Sequence, residues 1–543
     1  MKKKLVLIMV LVTNLVCAMA QKTGNTGPLT WSYNEDSKEL KISGKGDMPN
    51  YDFDTSPWKE YKEQIELITI GDDVTAIGNN AFCNCFAITE INIPSKVTRI
   101  GESAFTYCIS LEKVVIPGSV RIIDYGAFED CEHLTTLTLS NGLESIEGFA
   151  FKGCNSIESL VIPRTVTNIG RWSFSGCETI QTLKIPGSVK TIGDNAFSTC
   201  INLVSLELPE GLETIDEAAF NGCEKLPTVL IPASTTTLGG GVFADCKGMT
   251  QIKVAQGNPS YIVENDILYD INKRHLVQYP AGKTDATFTI PSNVEAIDKF
   301  AFCGNEHLTS VTIHPQLESI GYFSFARCNG ISTFNVPAKT QDIGESAFHD
   351  CISLTAINID KDNPNYVSID GVLYDKSKYV LMQYPTGKTD ATYVAPSTLK
   401  ILGNYAFFSN SNITSIDLPD GLTRVGDFAF GWCRNLGTLT VRVTEPEDIE
   451  VGLIPFFRGS GAVTCTLRVP QGSKEKYESV QAWADFAPNI EELESTGIEH
   501  INGTQSSIPN SRTYDLRGIL MNPSFDQLQK GIYIVDGKKI IKR

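Results

Sequence analysis

The sequence predicts a β-rich solenoid of about thirteen coils of 23 residues, with a cap at each end and two β-hairpin insertions. Three observations carry the prediction. Phenylalanine falls at Phe82, Phe105, Phe128, Phe151, Phe174, Phe197, Phe220 and Phe243, an unbroken spacing of 23. The register resumes at Phe302, Phe325 and Phe348 and again at Phe407 and Phe430, and each break of 59 residues is one period plus 36. Around each phenylalanine the same apolar positions return, as in Ala104, Phe105, Cys108, Leu111, Val114, Ile116, Pro117, Val120 and Ile123. One such coil cannot bury its own apolar side, whereas stacked coils share a continuous interior.

Each repeated position has a physical task. Val114 and Ile116 alternate with Lys113 and Val115 at the strand period of two, so the first pair faces inward and the second outward. Pro117 ends the strand, because it offers no backbone donor to a neighbouring coil. Val120 and Ile123 form a second wall. Glycine at the next position (Gly101, Gly170, Gly193) suits a turn with positive φ, although Asp124, Glu147, Asp216 and Asp298 stand there in other coils. The residue before the phenylalanine is Ala or Ser in every coil but that of Val242, which implies close contact between coils. At the ~4.8 Å separation of paired strands the stack extends roughly 60 Å before the insertions are counted.

These residues resemble the BspA-like bacterial leucine-rich repeat proteins, whose unit has the same leucine-rich strand, following proline and Ala-Phe-x-x-Cys ending. The resemblance runs from about Ile65 to Val443. It implies a leucine-rich-repeat solenoid and a secreted or surface-attached protein that binds host or neighbouring-cell proteins.

Along the chain, residues 1–20 read as a secretory signal peptide, with Lys2 to Lys4, an apolar run from Leu5 and small residues at Ala18 and Ala20. Cys17 raises a lipoprotein signal, against which the bulk of Val16 speaks. Residues 21–64 form an N-terminal β cap, 65–443 the solenoid, and 444–495 a C-terminal cap with helical character from Ser473 to Phe486. The insertions lie near 256–291 and 361–396 and are copies at an offset of 105, as Tyr269 and Tyr374 show; each reads as a three-stranded excursion. Asp370-Gly371 is a hairpin signal. Residues 496–512 read as a linker, and 513–543 resemble the sorting segment of proteins exported by the type IX system.

The chemistry-bearing residues point away from catalysis. The formal charge of −17 repels phosphate backbones, and no dense basic run offsets it, so no nucleic-acid partner is expected. Past the signal, no apolar stretch reaches the ~18 residues that span a bilayer. Cysteine follows the phenylalanine by three residues in most coils, replaced by Asn305 and Asn410 in two, and parallel in-register thiols suit packing as a free-thiol ladder rather than disulfide geometry. Cys83, Cys85, Cys303 and Cys465 are the residual candidates for bonding. The six histidines are scattered, each read as a solvated or half-buried surface residue. Gly282-Lys283-Thr284 and Gly387-Lys388-Thr389 lack the glycine that a phosphate-binding loop needs five residues earlier. No catalytic residue, metal site or cofactor is expected.

What remains is surface. The outward strand positions form two stripes, one rich in Ser and Thr and one that varies from coil to coil. The candidate binding residues are Thr182, Lys184, Ser205, Glu207, Thr228, Gln251 and Lys253, with Tyr269 and Tyr374 of the insertions as a candidate aromatic platform, against packing within the hairpins as the other role. The function expected is a secreted or cell-surface binding or adhesion module for an extracellular protein or glycan, outer-membrane associated or released. An architectural spacer without a dedicated ligand is the other reading.

Overall fold

A computed structural model describes residues 21–453, 456, 465–487 and 489–493, together with the strands Glu499–His500, Thr513–Tyr514, Gly531–Val535 and Lys538–Lys542. The signal peptide expected over 1–20 and most of the linker and sorting segment lie outside the described residues.

The repeat folds as a β-solenoid whose coils contribute one front strand and one short back strand, except that residues 157–163 form no front strand. Front strands pair in parallel one period apart, so that Leu137 lies beside Val114 and Leu139 beside Ile116. Back strands do the same, Ile146 lying between Ile123 and Ile169. The alternation read from sequence holds: Val114 and Ile116 are buried while Lys113 and Val115 face solvent.

A third wall closes the coil around the phenylalanine. The backbone N–H groups two residues before it, at it, and two residues after it donate to carbonyls of the next coil, as Asn80 to Glu102 at 2.8 Å, Phe82 to Ala104 at 2.8 Å and Asn84 to Thr106 at 2.9 Å. Alternate donors can all point one way because the residues two before and two after the phenylalanine have positive φ in all thirteen phenylalanine coils. This corrects the expectation for Gly101, Gly170 and Gly193, which do not supply the left-handed residues. Glycine is favoured there by proximity: a Cβ on Gly101 would lie 2.7 Å from the Asn79 nitrogen, and one on Gly193 would lie 2.7 Å from that of Arg171. Where Asp124 and Asp298 replace it, their carboxylates pair with Arg99 and His275 of the preceding coil.

The phenylalanines stack in a column, Phe128 on Phe151 at 5.3 Å and Phe174 on Phe197 at 5.4 Å, with rings within 2° of parallel in both pairs. The structure has about eighteen turns rather than thirteen. A search for phenylalanine undercounts because Trp58, Tyr279, Tyr384 and Phe456 continue the column in cap and insertion coils, stacking on Phe82, Phe302, Phe407 and Phe430.

Each break therefore adds 13 residues to one coil, since Tyr279 stands 23 before Phe302 and 36 after Phe243. The extra chain is a hairpin, Tyr261–Glu264 against Ile267–Asp270, reversing at Asn265 and Asp266, both at positive φ. The third strand, His275–Gln278, runs parallel to Ala296–Ile297 and so belongs to the back sheet as well as to the hairpin. The second copy repeats this, with Asp370 and Gly371 at the reversal. The hairpins interrupt the nine-stranded back sheet after Thr237–Leu238 and the six-stranded one after Asp342–Ile343. At both edges a tyrosine hydroxyl accepts from the exposed N–H, Tyr261 from Leu238 at 2.8 Å and Tyr366 from Ile343 at 3.0 Å. A buried edge would otherwise leave that donor without a partner.

The fourteen described cysteines, Cys83, Cys85, Cys303 and Cys465 among them, are thiols rather than disulfides. Ten of them donate to the carbonyl of the phenylalanine one coil back, as Cys154 to Phe128 at 3.2 Å and Cys351 to Phe325 at 3.0 Å. Cysteine is thus both core filler and donor. Asn305 and Asn410 stand directly after the insertion coils and do more: Asn305 donates to Ala281 and Lys283, both at 3.1 Å, and accepts from the N–H groups of His307 and Leu308.

Both ends are closed. The antiparallel strands Gln21–Thr26, Leu29–Asn34 and Glu39–Gly44 lead into the front sheet by a parallel pairing of the last with Leu67–Ile70. At the other end helix Lys474–Ser479 is shorter than the helical character expected to Phe486, and it buries Tyr477 beside Trp483.

Candidate binding surface

The front sheet presents two outward positions per coil. Thr182, Lys184, Ser205 and Glu207 all lie exposed in paired strands, with Thr182 beside Ser205 and Lys184 beside Glu207. The Lys184 ammonium donates to Glu207 at 2.7 Å, so two of the candidates neutralise one another. Such an open ion pair contributes little to stability, about 0–1 kcal/mol. Thr228 is half-buried beside Gln251, whose amide donates to Asp266 of the first hairpin at 2.8 Å. Lys253 is exposed and lies beside Leu230. These seven therefore share one surface.

The insertion tyrosines do not. Tyr269 is 3% exposed and Tyr374 1% exposed, and the Tyr374 hydroxyl bonds that of Tyr393 at 2.5 Å. Burial removes both rings from the set of candidate contacts and raises their hydroxyl pKa values above the usual tyrosine range.

The outward positions also leave apolar side chains in solvent. Val161 is 73% exposed, Leu230 53% and Val394 72%. Near the N-terminal end the same face holds a shallow groove of about 270 Å³ between Leu67, Thr69, Glu90, Asn92, Lys113 and Val115. A second groove of about 410 Å³ lies over the cap beside Thr30, Trp31 and Lys41.

A family model agrees with this architecture. The model of the BspA type leucine rich repeat region matches residues 60–181, 144–270, 283–376 and 389–450, which is more than half of the chain. The chain belongs to the BspA-type leucine-rich repeat family. Among solved structures it is similar to a leucine-rich repeat protein of Bacteroides ovatus, 22% identical over 81% of this chain and 98% of that one, with a TM-score of 0.37. It is also similar to a leucine rich cell surface protein of Faecalibacterium prausnitzii, 24% identical over 80% of this chain and 94% of that one, TM-score 0.40. A third is a leucine-rich repeat protein of Eubacterium ventriosum, 21% identical over 81% and 98% of the two chains, TM-score 0.34. Among curated proteins none matches. Among the described residues no helix is long and apolar enough to cross a membrane.

Sequence reasoning missed the aromatic residues of the third wall. Two residues before the column phenylalanine, at the left-handed position, stand Phe149, Trp172, Phe300, Phe323, Tyr405 and Phe428, all at positive φ and all half-buried. The signal was present as aromatic pairs 23 apart, displaced by two from the main column. One histidine also departs from expectation. His349 is buried against Phe323 and Phe408, its Nδ1 without a partner, and burial holds its pKa down to about 3.

Proposed function

We propose that this family member is a binding module displayed outside the cell, its front sheet engaging an extracellular protein or glycan through many small contacts. The observation that carries the reading is the outward array itself. Adjacent coils hold Thr182, Lys184, Ser205, Glu207 and Lys253 in paired strands, and Leu230 and Val161 stand uncovered among them. Apolar side chains within a polar, hydrogen-bonding surface are what a partner of moderate affinity uses. The rigid solenoid keeps the array ordered, so a partner need not offset its ordering entropy on binding. In this reading residues 1–20 act as an export signal and 513–543 as a sorting segment, which together would deliver the module to the cell surface or the medium.

The test replaces Lys184, Glu207 and Lys253 together by serine. Removing both members of the ion pair strands no charge, so folding is retained. The purified protein and the variant are screened in parallel against extracellular-matrix proteins and a glycan array. Loss of a bound partner in the folded variant supports the front sheet; binding that survives the triple change moves the site elsewhere.

A further inference from the structure

The third wall folds into a crease at the first insertion. Elsewhere along this wall a coil bonds to the next one in sequence, as Gly222 donates to Ala244 at 2.8 Å and Gly304 to Ala326 at 2.9 Å. At the insertion the wall passes over the coil of Tyr279, and the Asp245 N–H donates directly to the Cys303 carbonyl at 3.1 Å. Three ion pairs then span the crease: Asp245 with Arg327 at 2.5 Å, Lys247 with Glu306 at 3.0 Å and Glu217 with Lys299 at 3.5 Å. The approach is close because the crease is lined by glycine. A Cβ on Gly241 would lie 2.8 Å from the Phe300 ring, and one on Gly304 would lie 2.3 Å from the Asp245 carboxylate.

Neither sheet ladder crosses this junction. The back sheet stops at Thr237–Leu238, and the front strand Gln251–Val254 pairs only backward, the next front strand being Thr287–Thr289. The buried core divides there too, since Leu268 packs with the N-terminal cluster while its neighbours Ile267 and Tyr269 pack with the following one. A place where ladder and core are both interrupted is where a stack opens locally at least cost.

The second insertion supplies an internal comparison. It is a copy at an offset of 105, yet the positions of Arg327, Lys247, Glu306, Glu217 and Lys299 are taken there by Trp432, Ile352, Ser411, Tyr322 and Asn404. Its crease is filled by rings instead, with His349 4.8 Å from Phe323 and 4.5 Å from Phe408, and Phe323 5.8 Å from Tyr405. Beneath the ion pairs of the first crease lies a smaller apolar group, Ala244, Cys303 and Ala326. Exposed ion pairs weaken as salt shortens the Debye length to about 3 Å at 1 M, whereas ring packing does not.

We infer that the first insertion is a hinge held shut by these ion pairs, opening along the third wall as ionic strength rises, while the second insertion stays closed. Opening changes the angle between the stretch of front sheet that ends at Gln251–Val254 and the one that begins at Thr287–Thr289. The hinge is independent of what the front sheet binds, so its test uses the protein alone.

The experiment follows hydrogen exchange of the full chain by mass spectrometry at 50 mM and 1 M NaCl and constant pH. Peptides covering residues 241–249 are expected to exchange about tenfold faster at 1 M, and those covering 345–352 at an unchanged rate. Spin labels at Asp194 and Glu345, third-wall positions on either side of the first crease, are expected to move apart over the same change. The variants E217Q/K299Q and D245N/R327Q each remove both members of a pair and strand no charge. Combined, they should give the fast exchange already at 50 mM and abolish its dependence on salt. Equal exchange of residues 241–249 at the two salt concentrations, equal acceleration at both insertions, or an unchanged label separation would each overturn the hinge. The salt comparison on the native chain decides this without reliance on any variant's folding.

Discussion

The Cys108 thiol donates to the carbonyl of Phe82, 3.3 Å away in the preceding coil and 26 residues earlier in the chain. The N–H of Phe105, in the same coil as Cys108, donates in the other direction, to Ala127 of the next coil, so the thiol and this N–H together connect three consecutive layers. A thiol meets this position well because it fills apolar volume and still carries a donor.

These thiols should be silent in the native protein. Burial pushes Cys83 up to about 11 and Cys200, Cys351 and Cys433 up to about 12, far from the thiolate that reagents attack. Titration at pH 8 is expected to find almost no fast-reacting thiol in the folded protein and all fourteen described ones after unfolding without reductant.

The same shifts set an alkaline limit. Above the unfolded thiol value near 9 the unfolded chain loses protons that the folded chain keeps, so stability falls as pH rises from about 9 toward 12. The slope is about 1.4 kcal/mol per pH unit for each such thiol. Denaturant melts between pH 7 and 11 check this: the stability contribution is complete below pH 9, and a midpoint that holds steady to pH 11 contradicts it.

His349 sets a limit on the acid side. Its folded pKa lies near 3 against an ordinary value of 6.5, so the unfolded chain takes up a proton that the folded chain refuses as pH falls below 6.5. Its contribution is present above pH 6.5 and is lost progressively toward pH 3. H349F, whose ring joins Phe323, Tyr405 and Phe408, should lose less stability than the native chain between pH 7 and 4.5.

Asn305 gives a test in which restoring the repeat does harm. N305C returns the residue most coils have, yet removes donations to Ala281 and Lys283 and acceptances from His307 and Leu308. A loss of about 2–3 kcal/mol in chemical denaturation is expected, since the stranded groups are buried. An unchanged midpoint would show that these bonds contribute nothing.

Close approach between coils can be probed at Gly344. A Cβ there would lie 2.2 Å from the Tyr322 nitrogen, so G344A must push two coils apart and should cost about 2 kcal/mol or more. Asn195 already sits at φ 54°, and N195G should change stability by only a few tenths of a kcal/mol.

The repeat was legible because its inward positions answer to one demand, burial, and so keep their residue types. The added turns were not, because Tyr279 and Tyr384 satisfy that demand with a different aromatic ring and Trp58 and Phe456 lie off the period of 23. The third wall left little trace. Its alternating left- and right-handed backbone is compatible with Asn80, Ser103, Gly126 and Trp172 alike, so composition there varies while conformation does not. The outward residues Lys184 and Glu207 were placed by strand alternation alone. Burial of Tyr269 and Tyr374 depended on a hairpin folding back on its own coil, which alternation does not report.

The central claim is that residues one period apart lie side by side all along the front sheet. Spin-label pairs at Glu90 with Thr182 and at Glu90 with Thr228, four and six periods apart, measure it directly. The account predicts separations that grow in proportion, about 19 Å and then about 29 Å at the strand step. Separations that do not increase with the number of periods would contradict it.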